Sequence, residues 1–115
     1  MLNIFGKTAE QFEHIFCDQL EEVLRSADGN NNFEIIDVRT PGEYHSGHIP
    51  NAKLINLMDP AFKNKVSQLD PGKTYYVYCR SGSRSMTACR VMADAGLKNL
   101  YNVKFGLMGW QGELV

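Results

Sequence analysis

Residues 78–85 read Tyr-Cys-Arg-Ser-Gly-Ser-Arg-Ser. A thiol, Cys79, is followed within six positions by two guanidinium groups, three hydroxyls and a glycine. The aromatic and β-branched run Thr74–Tyr78 before it predicts a strand, and the text from Ser83 onward turns helical. Cys79 is thereby expected at the carboxyl end of a strand, just before a helix N-terminus. In open α/β sheets ligands bind at that edge. The first amides of a helix lack intrahelical partners, and the helix dipole adds partial positive charge there. Gly82 lets the backbone curl so that successive N–H groups converge on one point, which forms an anion-holding nest. The same field favours a thiolate, lowering a thiol that titrates at about 8.5 when free. Arg80 and Arg84 are expected to add mobile positive charge, and Ser81, Ser83 and Ser85 hydroxyl donors. The chemistry this describes is an activated cysteine in an anion-binding loop formed by Arg80, Ser81, Gly82, Ser83, Arg84 and Ser85.

Other reactive side chains in the chain have plainer readings. Cys17 follows Phe16 within an expected first helix, and Cys89 falls on an apolar helix face with Met86, Met92 and Ala93. Free cysteine behaves as a small buried hydrophobe, so both are expected in the core. His45 and His48 are three apart in a polar stretch, but no third ligand accompanies them and no metal site is expected. Trp110 reads as a core or pocket-wall residue.

The elements that must position Cys79 follow from periodicity and turn signals. Phe12, Ile15, Phe16, Leu20, Val23 and Leu24 recur at helical spacing, with Thr8 and Gln11 in a capping-box pattern, so a helix is expected over 8–25. A polar loop at 28–32 ends it. A buried strand is expected at 33–38, a helical turn at Pro41–His45 and a weak strand at 53–56. Residues 59–68 read as a short helix with Asp59 as N-cap and Pro60 at its first position. The strongest strand is 74–79, followed by a helix over 83–96 closed by Gly96. A strand at Leu97–Val103 and a glycine-punctuated turn at 105–110 complete the chain. Strands alternating with helices predict an α/β fold, a parallel sheet covered by helices on both faces.

The 115 residues fit one domain, 1–115, with room for one sizeable core. A formal net charge of −1 and 22% charged residues give no basic surface for nucleic acid. No apolar run approaches the roughly 20 residues of a membrane span, and the N-terminus lacks a signal-peptide pattern. Three irregularly spaced cysteines without a CxxC pair argue against a disulfide framework and a zinc site. Free thiols fit a reducing compartment, and the cytoplasm is the expected location.

Three stretches together resemble the rhodanese family: "IIDVRTPGEYHSGHIPNA" at 35–52, "YVYCRSGSRS" at 76–85 and "VKFGLMGW" at 103–110. Their order and spacing are similar to those of a single-domain rhodanese, and the likeness spans about residues 33–112. It implies a rhodanese-like fold with a central five-stranded parallel sheet. It also implies that Cys79 accepts a sulfane sulfur as a persulfide, from thiosulfate or a persulfide donor. The sulfur then passes to a thiol, cyanide or a sulfur-accepting protein, without metal or organic cofactor. Asp37 and Arg39 match positions that the family keeps. Their expected role is supporting: Asp37 pairs with an arginine or caps a loop. Glu43 is expected to pair with Arg39 or to support the loop. Two rivals stand beside this reading. One is a cysteine phosphatase of the same fold, whose clamping arginine stands six residues after the cysteine; that position here is Ser85. The other is a non-catalytic binding or sulfur-carrier module. The retained cysteine and charged loop favour catalysis over it.

Overall fold

The computed structural model describes residues 11–27 and 32–115. In chain order these form β1 (Glu13–Ile15), α1 (Cys17–Arg25), β2 (Phe33–Asp37), α2 (Pro41–Ser46), β3 (Lys53–Leu54), α3 (Phe62–Val66), β4 (Thr74–Tyr78), α4 (Ser83–Asp94) and β5 (Asn99–Val103). A 3₁₀ turn at Gly106–Gly109 follows. The strands make one five-stranded sheet in the order β1-β5-β4-β2-β3. Every pairing is parallel. The α/β architecture with a central five-stranded parallel sheet expected from the sequence is the one observed.

A strand turns successive side chains to opposite faces, and a parallel sheet is covered on both. β4 therefore divides its residues between two cores. Tyr75, Val77 and Cys79 join Ile36 and Val38 under Ala88, Cys89 and Met92 of α4 and Phe62 and Val66 of α3. Tyr78 joins Ile35, Val103 and Leu20 of α1, together with Ile49 and Ala52. Cys79 thus sits on the α4 face of the sheet, and Tyr78 beside it sits on the other.

The N-terminal helix expected over 8–25 is corrected by the structure. Residues 13–15 are a strand, and the helix begins only at Cys17. Thr8 lies outside the described residues. Phe12 and Ile15 have helical spacing but enter different cores, on opposite faces of the sheet. β1 instead pairs with β5, Glu13 with Tyr101 through Ile15 with Val103. A non-local ladder satisfies the backbone here in place of a local helix. The helix start is closed by Gln19, whose side chain accepts from the Phe16 amide at 2.8 Å.

The short helix expected over 59–68 is also later than expected, with Ala61 as its N-cap. Asp59 caps the turn leading into it, its Oδ1 accepting from the Ala61 amide at 2.8 Å. At the far end of α4, Gly96 N–H donates to Ala93 O at 3.0 Å and Leu97 N–H to Met92 O at 3.1 Å. That is the Schellman closure expected of a glycine just past a helix. Among the described residues no helix is long and apolar enough to cross a membrane.

Candidate active site

The site is built where β4 hands over to α4. Cys79 follows the last residue of β4 and is buried, with 1% of its surface exposed. Gly82 is the N-cap of α4 and has a φ of 102°. A side chain there would be strained, and a Cβ would also lie 3.1 Å from the Phe105 amide. The turn aims backbone donors inward. Gly82 N–H donates to Cys79 Sγ at 3.1 Å, and Ser85 N–H at 3.3 Å. Ser85 Oγ lies 3.4 Å from the same sulfur. The nest expected to surround a bound anion closes, in this state, on the thiol sulfur itself. Burial pushes the Cys79 thiol up, but the contact with the Ser85 side chain and hydrogen bonds from the Ser85, Gly82 and Ser81 amides outweigh it. The net shift is below the ordinary thiol value.

The loop can point its amides inward because its carbonyls are taken up on the outside. Leu107 N–H donates to Cys79 O and Met108 N–H to Arg80 O, each at 3.0 Å. The close approach requires Gly106, whose φ is 52° and whose Cβ would fall 2.3 Å from Cys79 O. The glycine-punctuated turn of the sequence is thus the outer brace of the cysteine loop.

The two loop arginines have different fates. Arg84 is not mobile as expected. Its Nη1 and Nη2 donate to Glu43 Oε1 and Oε2 at 2.8 and 2.9 Å, a two-point clasp between α4 and α2. The Arg84 hydrogen bonds hold the Glu43 carboxyl down at about 2; burial opposes them, and the Thr40 amide and hydroxyl assist. Of the two expectations for Glu43, pairing with Arg39 gives way to pairing with Arg84, a contact that supports the loop. Glu43 also closes a capping box on α2, accepting from the Thr40 amide at 3.1 Å. Arg80, in contrast, is exposed. It borders a cleft of about 350 Å³ shared with Arg39, Glu43, Ser46, Leu107 and Met108. Ser81 and Ser83 are exposed as well, Ser83 as the first residue of α4, while Ser85 is buried.

Asp37 and Arg39 lie across the sheet from the sulfur, with Tyr78. Arg39 Nη2 reaches Asp37 Oδ2 at 2.7 Å, and both residues are buried. Arg39 also donates to Gly47 O at 2.7 Å. Tyr78 O–H donates to Asp37 Oδ2 at 2.6 Å and accepts from the Ile49 amide at 3.1 Å. Burial lowers the Arg39 guanidinium, yet the bonds to Asp37 and the charge it faces win and raise it. Burial and the Asp37 hydrogen bond together push the Tyr78 hydroxyl well up. This network ties β2, β4 and the 47–49 loop, the supporting pairing expected of Asp37.

Two site residues escaped the sequence reading. Ser85 Oγ donates to Asn102 Oδ1, and Asn102 Nδ2 lies 3.2 Å from His14 Nδ1. The available signal was an asparagine between Tyr101 and Val103, in the interior of β5. The remaining candidates have structural settings. His48 stacks on Tyr44 with ring centroids 3.7 Å apart and contacts Tyr44 O through Nδ1 at 2.9 Å. Among the described residues no group of three or more His, Cys, Asp or Glu could hold a metal ion. Trp110 is half-buried, and its indole N–H donates to Glu113 O at 3.0 Å. Cys17 and Cys89 are buried.

The chain is similar to known proteins. Residues 19–113 match the Rhodanese family, described as a rhodanese-like domain. The Bacillus subtilis protein named "Putative sulfurtransferase YtwF" is 42% identical over 79 residues, covering 69% of this chain and 74% of that protein. An Allochromatium vinosum protein named "Sulfurtransferase" is 32% identical over 76 residues, covering 66% of this chain and 69% of its own. The crystal structure of a rhodanese-like domain protein from Staphylococcus aureus superimposes with a TM-score of 0.77 at 30% identity. That match covers 90% of this chain and 96% of the other.

Proposed function

Because this chain belongs to the rhodanese-like family, we propose that it is a sulfurtransferase that carries a sulfane sulfur on Cys79. The observation that supports this most is the set of donors closed on a buried sulfur: the Gly82 and Ser85 amides at 3.1 and 3.3 Å. Such a setting favours the thiolate, which is the nucleophile of sulfur chemistry.

In the first half-reaction the Cys79 thiolate attacks the outer sulfur of a donor such as thiosulfate. A bond forms between Sγ and that sulfur, the donor's S–S bond breaks, and its electron pair leaves with sulfite. In the second, an acceptor thiol, cyanide or a sulfur-accepting protein attacks the terminal sulfur, and the electron pair returns to Sγ as thiolate. Two half-reactions through a covalent intermediate give ping-pong kinetics. No metal or organic cofactor enters either step. Arg80, exposed at the rim, is the cation that meets an incoming anion. Arg84 acts by fixing the start of α4 against α2, since Glu43 takes the Nη1–Nη2 edge of its guanidinium.

That clasp also weighs against the phosphatase reading. A phosphoryl group is held best by a two-point arginine contact, and the arginine of this loop already has a carboxylate in that place. Cys17, Cys79 and Cys89 form no disulfide, which fits a reducing compartment such as the cytoplasm.

The test is mass spectrometry after incubation with thiosulfate. One added sulfur, mapped to Cys79 and discharged by cyanide as thiocyanate, is the expected result. An unmodified Cys79, or sulfur only on Cys17 or Cys89, would overturn the proposal. Turnover of aryl phosphates without a persulfide would favour the phosphatase.

A further inference from the structure

The Cys79 sulfur is one end of a chain of polar contacts that runs across the sheet to β1. Sγ lies 3.4 Å from Ser85 Oγ, which meets Asn102 Oδ1; Asn102 Nδ2 lies 3.2 Å from His14 Nδ1. Ser85 and Asn102 are buried, and His14 is exposed. The chain therefore connects a hidden sulfur to a titratable ring that solvent reaches.

The direction of these hydrogen bonds is constrained, because a hydroxyl has one hydrogen to give and an amide has distinct donor and acceptor ends. With His14 Nδ1 accepting from Asn102, the amide oxygen faces Ser85 and takes the hydroxyl hydrogen. Ser85 Oγ then meets the sulfur as an acceptor, which suits a thiol. A hydrogen on Nδ1 reverses each link. Asn102 must present its oxygen to His14 and its NH₂ to Ser85. Ser85 accepts from Asn102, and its hydrogen is released toward Sγ, which suits a thiolate. The Ser85 hydroxyl cannot serve Asn102 and the sulfur at once.

We propose that His14, acting through Asn102, sets the direction of the Ser85 hydroxyl and is a positioning residue for the Cys79 thiolate. Its service to sulfur transfer rests on the function proposed above; the coupling of imidazole to thiol does not. Protonation of His14, by solvent, places a hydrogen on Nδ1 and so favours the thiolate. Reciprocally, the thiolate favours protonated His14, since the coupling between two binding equilibria is mutual. The elements around the ring carry few groups that could act in its place. The Phe12 ring stands edge-on to it at 5.7 Å. Strand alternation turns Glu13 and Tyr101 to the other face. The titratable residues of α4 are Arg84, held by Glu43, buried Cys89, and exposed Arg90 and Asp94.

The experiment follows alkylation of Cys79 by iodoacetamide against pH, with the adduct mapped by mass spectrometry. In the wild type the rate should climb, pause across the imidazole titration and climb again. The two limbs should be offset about tenfold, the scale of one hydrogen bond to a charged sulfur. His14→Asn keeps a group that can donate or accept near the Nδ1 position but does not titrate. It should give one smooth ionisation curve. Superimposable alkylation profiles for wild type and His14→Asn would overturn the proposal. A thiosulfate test without persulfide, alongside alkylation profiles that still differ between wild type and His14→Asn, would sink the sulfurtransferase reading and leave the coupling standing.

Discussion

Cys17 and Cys79 are both buried thiols beside a helix N-terminus, and the backbone treats them oppositely. Cys17 is the first residue of α1, and its S–H faces carbonyls, donating to Gly106 O at 3.2 Å. Burial, and secondarily the charge of Asp18, push that thiol up. Cys79 faces N–H groups instead, and they bring its thiol down despite heavier burial. Proximity to a helix start is therefore not enough to activate a cysteine. The sign is set by whether donors or acceptors point at the sulfur. Gly106 stands between the two: its carbonyl receives Cys17, and its Cα packs against the carbonyl of Cys79.

The comparison can be broken most sharply by removing one thiol at a time. Cys79→Ser should abolish sulfur transfer from thiosulfate to cyanide, and Cys17→Ser should retain most of it. A steady-state assay that found Cys79→Ser near wild type would end the distinction. The residue between them should matter nearly as much. Gly106→Ala places a methyl group against Cys79 O and must displace the loop. Misplacing a catalytic group by an ångström can cost about a hundred-fold, and a loss of that order in kcat/KM is expected. Unchanged kinetics would show that the brace does not position the loop.

A third measurement concerns the thiols directly. The midpoint for alkylation of Cys79 should fall below that of an ordinary thiol peptide, and that of Cys17 above it. Mapping both adducts against pH checks this, and a reversed order would refute the donor–acceptor argument. The smallest effect belongs to the clasp behind the loop. The Glu43 carboxyl is lowered from 4.5 to about 2 in the folded state. Its contribution is therefore present above the ordinary carboxylate value and lost as pH falls toward 2. Glu43→Gln should cost about 1 kcal/mol near neutral pH, the size of a partly exposed pair. The difference from wild type should shrink as denaturation midpoints are followed from pH 5 down to 2. A constant difference across that range would mean that the pair's charge contributes nothing.

Much of this molecule was legible in one dimension because the signals are local. A short β-branched stretch marked β2, an apolar and aromatic run marked β4, a glycine marked the end of α4, and the cysteine, glycine and serine spacing marked the loop that turns at Gly82. The Thr40–Glu43 capping box was equally local, although only a helical turn at Pro41–His45 was expected from that stretch. What the sequence could not decide is which distant group answers each polar side chain. Arg84 and Glu43 are 41 positions apart, and Asn102 and His14 are 88 apart. No periodicity or cap records such pairings. The misread start of α1 has the same cause. Phe12 and Ile15 satisfy a helical pattern, but β5 offers residues 13–15 a ladder of backbone hydrogen bonds, and that partner lies at the other end of the chain. Local propensity proposes an element, and the tertiary partner that satisfies its backbone disposes of it. For the thiols the consequence is chemical. Sequence supplied the sulfur and the turn, and only the packed sheet determined whether carbonyls or amides would face it.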